Sequence, residues 1–401
     1  MFYVILIMNV IYAGILQGTK PIISLYANSQ GSSAFIIGLL VSCYAFLPML
    51  LAVTIGKWLD LRGARTMIIF GAGGIFVALL MPVLYPSVIT LFFTQLIAGF
   101  SQPFVHLSLQ KTVGNLPGNR DKLIASFALS GSLGGLIGPL LTGFTYEHLG
   151  FRAAMGFSLV ITLLALLSGL LIKSISWKSG ASTIKNSNEI KESPWKMLKQ
   201  RDLLKALIIS GLVLYSKDLY MAFFPIYANS IGLAAGTIGI ILSFQAGMSM
   251  VVRFSQFHLV RKFGRGLVLT TTLIISGVSY ILVPSTANLI ILAILTGLLG
   301  AGLGLGQPLS TVYTLDLTPP ERHGRVLGVR ITFNRATQFF APFLLGGIGG
   351  IAGVIPVFWA TGGILLIGAY FTRIKSQPAQ GLPDSIHPAS HQASQANDTA
   401  K

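Results

Sequence analysis

The chain has 401 residues, of which 53% are hydrophobic and 10% charged, with a mean hydropathy of +0.75. So little charge over so long a chain excludes an ordinary water-soluble protein. The formal net charge of +17 would suggest nucleic acid on a soluble domain, but here Lys and Arg are confined to every second loop, which excludes that partner and points to a membrane protein.

A transmembrane helix needs about 20 apolar residues. Twelve stretches meet that length in chain order. Six lie at 2–26, 34–56, 66–84, 88–110, 123–146 and 152–172, and six at 205–228, 236–258, 267–284, 289–313, 325–347 and 353–374. The expected fold class is therefore an all-α membrane protein, with a first six-helix bundle over 1–172 and a second over 205–375. Between them, 173–204 is polar, basic and rich in Ser and Asn, and reads as a cytoplasmic linker in which Pro194-Trp195 starts a short amphipathic helix. The tail 376–401, rich in Gln, Ser, Ala and Pro, is expected to be disordered. The first stretch lacks a charged leader region and a small-residue cleavage site, so it reads as a span and not as a signal peptide. Cys43 stands alone in an apolar run and can form no internal disulfide.

Basic residues mark the loops at Lys57, Arg62 and Arg65, at Lys111, Arg120 and Lys122, along Lys173 to Lys205, at Arg261, Lys262 and Arg265, and at Arg322 and Arg325. The alternate loops near Ser29, Pro86, Ser230, Pro284 and Gly349 carry none. By the positive-inside rule the basic loops are cytoplasmic, and an even number of spans puts both termini inside, in the cell (inner) membrane.

The two bundles are copies of one another. Tyr26-Ala27-Asn28-Ser29 returns 201 positions later as Tyr227-Ala228-Asn229-Ser230, and Gly38 and Gly63 meet Gly239 and Gly264 at the same spacing. Gly99-x-x-Gln102-Pro103 matches Gly304-x-x-Gln307-Pro308 with a shift of 205, and Pro139 matches Pro342 with a shift of 203. Two apolar halves in the same order suggest a site at the pseudo-symmetric interface.

After the second span, Gly56-Lys57-Trp58-Leu59-Asp60-Leu61-Arg62-Gly63-Ala64-Arg65 resembles the loop signature of the major facilitator superfamily, with Leu61 where the family usually has a base. Gly56 allows close helix approach, Gly63 a tight turn, and Asp60 suits the positive N-terminal end of a neighbouring helix. The resemblance makes that neighbour the eleventh span. The second copy, Phe257 to Arg265, keeps only Gly264 and the basic character. In the fifth span, Gly134-x-x-x-Gly138-Pro139-x-x-Thr142-Gly143 is similar to the antiporter signature of the drug/proton exporters in that superfamily, with Ala125 in place of an upstream Gly. It reads either as a bend at a moving interface that favours exchange over leak, or as ordinary glycine-mediated packing. Gly150-Phe151-Arg152 and Pro320-Glu321-Arg322-His323-Gly324-Arg325 resemble further turns of the same family. Its fold is two pseudo-symmetric bundles that total twelve transmembrane helices. In the fourth span the Arg often tied to proton coupling is replaced by Gln95, and an amide does not tune a carboxylate as a fixed cation does.

Charges within a span are expensive and mark pathways. Asp218 lies about 13 residues into the seventh span, roughly 20 Å along the helix, and its repeat partner is Gln17. It reads as a protonatable or cation-binding carboxylate, or as half of a structural pair with adjacent Lys217 or another base. Lys20 lies at similar depth. The family architecture faces the first and seventh helices across the cavity, so Lys20 and Asp218 form a gate-like pair, or Lys20 snorkels to the outer headgroups. Gln102 and Gln307 offer symmetric amides to a substrate, or bond carbonyls freed by the adjacent prolines. His106 reads as a proton relay or a satisfied interfacial histidine. Arg335, with Asn334 and Gln338, either meets an anionic substrate or neutralises Asp218. Arg330 and Arg253 are expected to snorkel, and Asn9 and Gln95 are weaker cavity candidates.

No phosphate-binding loop, metal-ligand cluster or catalytic constellation occurs in the sequence, so neither an enzyme nor a cofactor is expected. The reading is a monomeric secondary transporter in the lipid bilayer, exporting a small molecule in exchange for protons. Uptake or facilitated diffusion is the alternative that Gln95 favours, and a membrane sensor or scaffold is the third.

Overall fold

The computed structural model describes residues 2–170, 200–319 and 322–372, with the backbone alone at Ala52, Val53, Gly56, Lys57, Asp60, Arg120, Asp121, Ser168, Gly169, Leu170, Gly324 and Arg325. Most of the expected linker, the expected tail and Glu321 lie outside the described residues. The first half contains α1 (Phe2–Ser29), α2 (Ala34–Arg62), α3 (Ala64–Leu84) and α4 (Val88–Gly114). The stretch Arg120–Leu170 is broken at Gly150 (φ 79°, ψ −178°) into α5 (120–149) and α6 (151–170). The second half contains α7 (Arg201–Ser230), α8 (Ala235–Phe254), α9 (Gln256–Phe263), α10 (Arg265–Leu282), α11 (Leu289–Asp316), α12 (His323–Ala352) and α13 (Val354–Phe371).

Twelve of these helices correspond to the twelve expected spans. Two boundaries differ for physical reasons. The seventh helix begins at Arg201, inside the expected linker, because Leu203 and Leu207 pack on Val326 and extend the buried stripe. The eighth stops at Phe254 and Ser255 starts α9, whose Gln256, His258, Arg261 and Lys262 alternate with Phe257 and Phe263. So amphipathic a segment suits the bilayer surface better than its core. Helix α12 is long enough to cross, but Arg330, Asn334, Arg335 and Gln338 thin its apolar character.

The duplication is structural. Among the described residues, six of the seven glycines with positive φ come in repeat pairs, Gly31 with Gly232, Gly63 with Gly264, and Gly150 with Gly353, each at a tight turn that disfavours a side chain, and Gly118 stands alone. Tyr26 donates its hydroxyl to the Pro86 carbonyl and Tyr227 to that of Thr286, both at 2.8 Å. These bonds tie the first and seventh helices to equivalent turns.

The three-dimensional register corrects one sequence match. Gly99 of α4 packs on the Tyr44 carbonyl, and Gly300 of α11 packs on the carbonyl of Gln245, the repeat of Tyr44. The fourth and eleventh helices are thus related by the general shift of 201, and the Gly-x-x-Gln-Pro match is one helical turn out of register. Gln307 is the counterpart of His106, and Gln102 that of Leu303.

Helix contacts are of two kinds. Within the first half, Gly14 and Gly18 of α1 meet Gly134 and Gly138 of α5 so closely that a Cβ at Gly138 would strike the Gly14 carbonyl. Thr142 closes the contact by donating to the Gly18 carbonyl at 2.9 Å. Between the halves, Gly239 of α8 lies on the Pro139 carbonyl of α5, and Gly38 of α2 lies on the Pro342 carbonyl of α12. These two seams lie towards the Gly31 and Gly232 turns. There Glu147 accepts from the Gly236 N–H at 2.7 Å, and Phe35 packs 5.7 Å from Phe343. The molecule is closed at that face, opposite the basic loops.

Candidate functional site

The first and seventh helices bring their only buried opposite charges together. Lys20 Nζ lies 2.7 Å from Asp218 Oδ1, with both side chains about one-sixth exposed or less. Gln338 Nε2 of α12 donates to the second carboxylate oxygen at 2.5 Å. Asp218 therefore binds a base from one half and an amide from its own, and neither oxygen is bare. Lys20 also lies 5.0 Å from the centre of the Tyr44 ring, whose negative face favours the ammonium.

The pair sits in a constriction. Lys20, Val41, Tyr44, Ala45, Gln95, Asp218, Ala222 and Gln338 enclose a pocket of about 10 Å³, near the least that admits one water molecule. Gln95 is buried there, where the sequence suggested a neutral stand-in for a coupling base. A wider groove of about 430 Å³ between α7 and α13 is lined mainly by Leu and Ile and contains none of these residues.

Towards the basic face the polar cluster continues. Arg335 donates to Gln338 Oε1 and to Gln102 Oε1, each at 3.3 Å. It thus touches the first half through Gln102 and reaches Asp218 through Gln338, not as the direct neutralising partner that sequence allowed. One turn along α4 from Gln102, His106 is exposed, with its ring 5.5 Å from Phe127 of α5 and within electrostatic range of Arg335. Gln17, the repeat counterpart of Asp218, is not part of the charged group and lies beside Gly135, with its carbonyl oxygen buried and unpartnered.

Gln307 does not mirror Gln102. Its Nε2 donates to the Ser210 carbonyl at 2.6 Å, and its Oε1 accepts from Arg330 at 2.9 Å. It knits α7, α11 and α12 together inside the second half. The carbonyl freed by Pro308 is that of Gly304, and Arg253 satisfies it, donating Nε at 3.0 Å. Arg253 also donates to Ser132 of α5 at 3.0 Å, so it bridges the halves. Arg330 bonds Gln307 and Ser310 and is buried. The expectation that Arg253 and Arg330 snorkel to the headgroups is overturned, because each meets an acceptor inside that a headgroup would otherwise have to supply.

The motif residues divide. Gly134 and Gly138 are packing residues within the first half, while Pro139 and Gly143 face Gly239 and Ala235 across the seam. Gly63 makes the expected turn, and Arg62 is exposed beside it. Arg65 lies in the first turn of α3, and the side-chain placement of Asp60 and the surroundings of Gly56 lie outside what is described. Sequence reasoning missed Tyr44. Its signal was faint, an aromatic among apolar residues whose repeat counterpart is the polar Gln245.

Two apolar helical halves, closed over a charged constriction, define a membrane transporter. The chain belongs to the Major Facilitator Superfamily, whose family model matches residues 5–258 and 258–393. It is 24% identical over 368 residues to Multidrug resistance protein 1 of Bacillus subtilis (strain 168), covering 90% of this chain and 92% of that one. Among solved structures it resembles the nucleoside transporter NupG, with a TM-score of 0.75 at 14% identity over 92% of this chain and 98% of that one. A POT family transporter in complex with 5-aminolevulinic acid gives 0.74 at 15% identity, over 92% and 94%.

Proposed function

We propose that this chain carries a small molecule across the cell membrane by alternating access, with protonation of Asp218 as the coupling event. The observation that supports this reading is the bridge from Lys20 of one half to Asp218 of the other at 2.7 Å. A proton on Asp218 cancels the attraction that holds α1 to α7 and frees Lys20, so it changes the relative energies of the closed and open arrangements. The glycine–proline seams supply smooth surfaces on which two rigid bodies rock. The basic face is cytoplasmic, both termini lie there, and the working unit is a monomer.

Two directions remain, each with its own support. Export in exchange for protons accords with the names of the Bacillus relatives and with the Gly-Pro signature of α5. Uptake or facilitated diffusion accords with Gln95, which leaves the fourth helix without a coupling base. Proteoliposomes given an imposed pH gradient decide the matter. Proton coupling requires substrate flux to follow the gradient in the wild type and to ignore it in Asp218→Asn. Wild-type flux indifferent to the gradient would refute coupling, and accumulation against depletion of substrate in cells fixes the direction.

A further inference from the structure

The central cavity carries more positive charge than its carboxylate can balance. Lys20 and Asp218 neutralise one another. Lys217, Arg253 and Arg335 remain. Arg253 is held by a carbonyl and a hydroxyl, and Arg335 by two amide oxygens. Lys217, half-buried in the middle of α7, lies within electrostatic range of Arg253, of Lys20 and of Asp218, whose charge Lys20 already shares. Among the described residues the other carboxylates are engaged elsewhere. Glu147 caps α8, Asp202 pairs with Lys205, and Asp316 pairs with Arg265. Four bases from α1, α7, α8 and α12 thus share one electrostatic neighbourhood whose single carboxylate, among the described residues, is Asp218, and Lys20 already holds it at 2.7 Å.

Such an arrangement is unfavourable when empty, because like charges held in a low-dielectric cleft repel and their neutral partners do not cancel the charge. A lipophilic cation would add to that repulsion. We infer that the cargo is an organic anion, with its negative group held among Lys217, Arg253 and Arg335. This rests on the transport reading and adds the sign of the substrate. It also bears on direction. Protonating Asp218 removes a negative charge from the same cluster, so the proton strengthens anion binding and, by reciprocity, the anion strengthens protonation. Anion and proton then travel together, which favours uptake over exchange.

The test uses the full chain in two arms. In a Cys43→Ser, His106→Cys background, the cavity thiol is labelled with a sulfonate-bearing and with a trimethylammonium-bearing methanethiosulfonate of matched size. The rate ratio cancels the thiol's own reactivity and reports the local potential. The sulfonate should be favoured about tenfold relative to a free thiol, and Lys217→Gln, Arg253→Gln or Arg335→Gln should each lower that preference. A ratio equal to that of free cysteine overturns the inference. In the second arm, proteoliposomes are offered benzoate, succinate or tetraphenylphosphonium. Carboxylate flux that falls in Lys217→Gln supports the inference, and tetraphenylphosphonium flux unaffected by Lys217→Gln and Arg253→Gln overturns it. If no probe crosses while the labelling preference persists, these three compounds are not cargo, and the charge selectivity stands apart from the transport reading.

Discussion

The faces of the two halves that form the seams are near copies, and the middle is not. At the seams Gly38 meets Pro342 and Gly239 meets Pro139, two versions of one contact, and Tyr26 and Tyr227 anchor equivalent turns at the same distance. In the middle, each position that carries chemistry has diverged. Asp218 stands where the first half has Gln17, Lys20 where the second has Met221, and Gln338 and Arg335 where the first has Gly135 and Ser132. Packing that lets two bodies slide works equally well on both sides and can stay duplicated. An ion pair needs opposite charges on its two sides, so symmetry must break where coupling is built.

Substitutions can break that contrast. The largest effect is expected at the centre. Asp218→Asn leaves Lys20 buried without its partner and should destabilise the protein by about 3–5 kcal/mol, read as a lowered unfolding temperature in detergent. Adding Lys20→Met, which installs the residue of the second half, should recover most of that stability without restoring proton-linked flux. Failure of the double variant to recover would show that Lys20 does more than balance Asp218.

A smaller loss is expected at the seams. Gly38→Leu and Gly239→Leu each drive a side chain into an opposing carbonyl and should cost about 1–3 kcal/mol, with transport falling by similar factors in both. Unequal losses would mean that the two seams do not carry the motion equally. Gly73→Ala is the control, since a Cβ there meets nothing within 4 Å, and it should be neutral or stabilising by up to about 1 kcal/mol. The smallest effect belongs to the turns. Tyr26→Phe and Tyr227→Phe should each lose about 1 kcal/mol, and a marked difference between them would end the equivalence of the two anchors.

Several features were legible in the sequence because they depend on local composition. Bilayer thickness fixes the length of an apolar run, so the twelve spans could be counted. Asp218 and Lys20 stood out because charge inside a span is rare. The Gly-x-x-Gln-Pro match was misleading because a helix tolerates a shift of one turn without changing its apolar face. Only packing on the carbonyls of Tyr44 and Gln245 revealed the shift.

By itself, then, the sequence determined the membrane class, the duplication, the alternation of basic loops and Asp218 as a charge inside a span. These follow from hydropathy and spacing along one chain. The tertiary structure decided which of the pairings left open by the sequence form. It joined Lys20 to Asp218 across nearly 200 residues, kept Arg335 one amide away, and turned Arg253 inwards to the carbonyl that Pro308 had freed. Pairing at that distance depends on how helices from different halves rotate and approach, and those angles are set by the close glycine contacts between them.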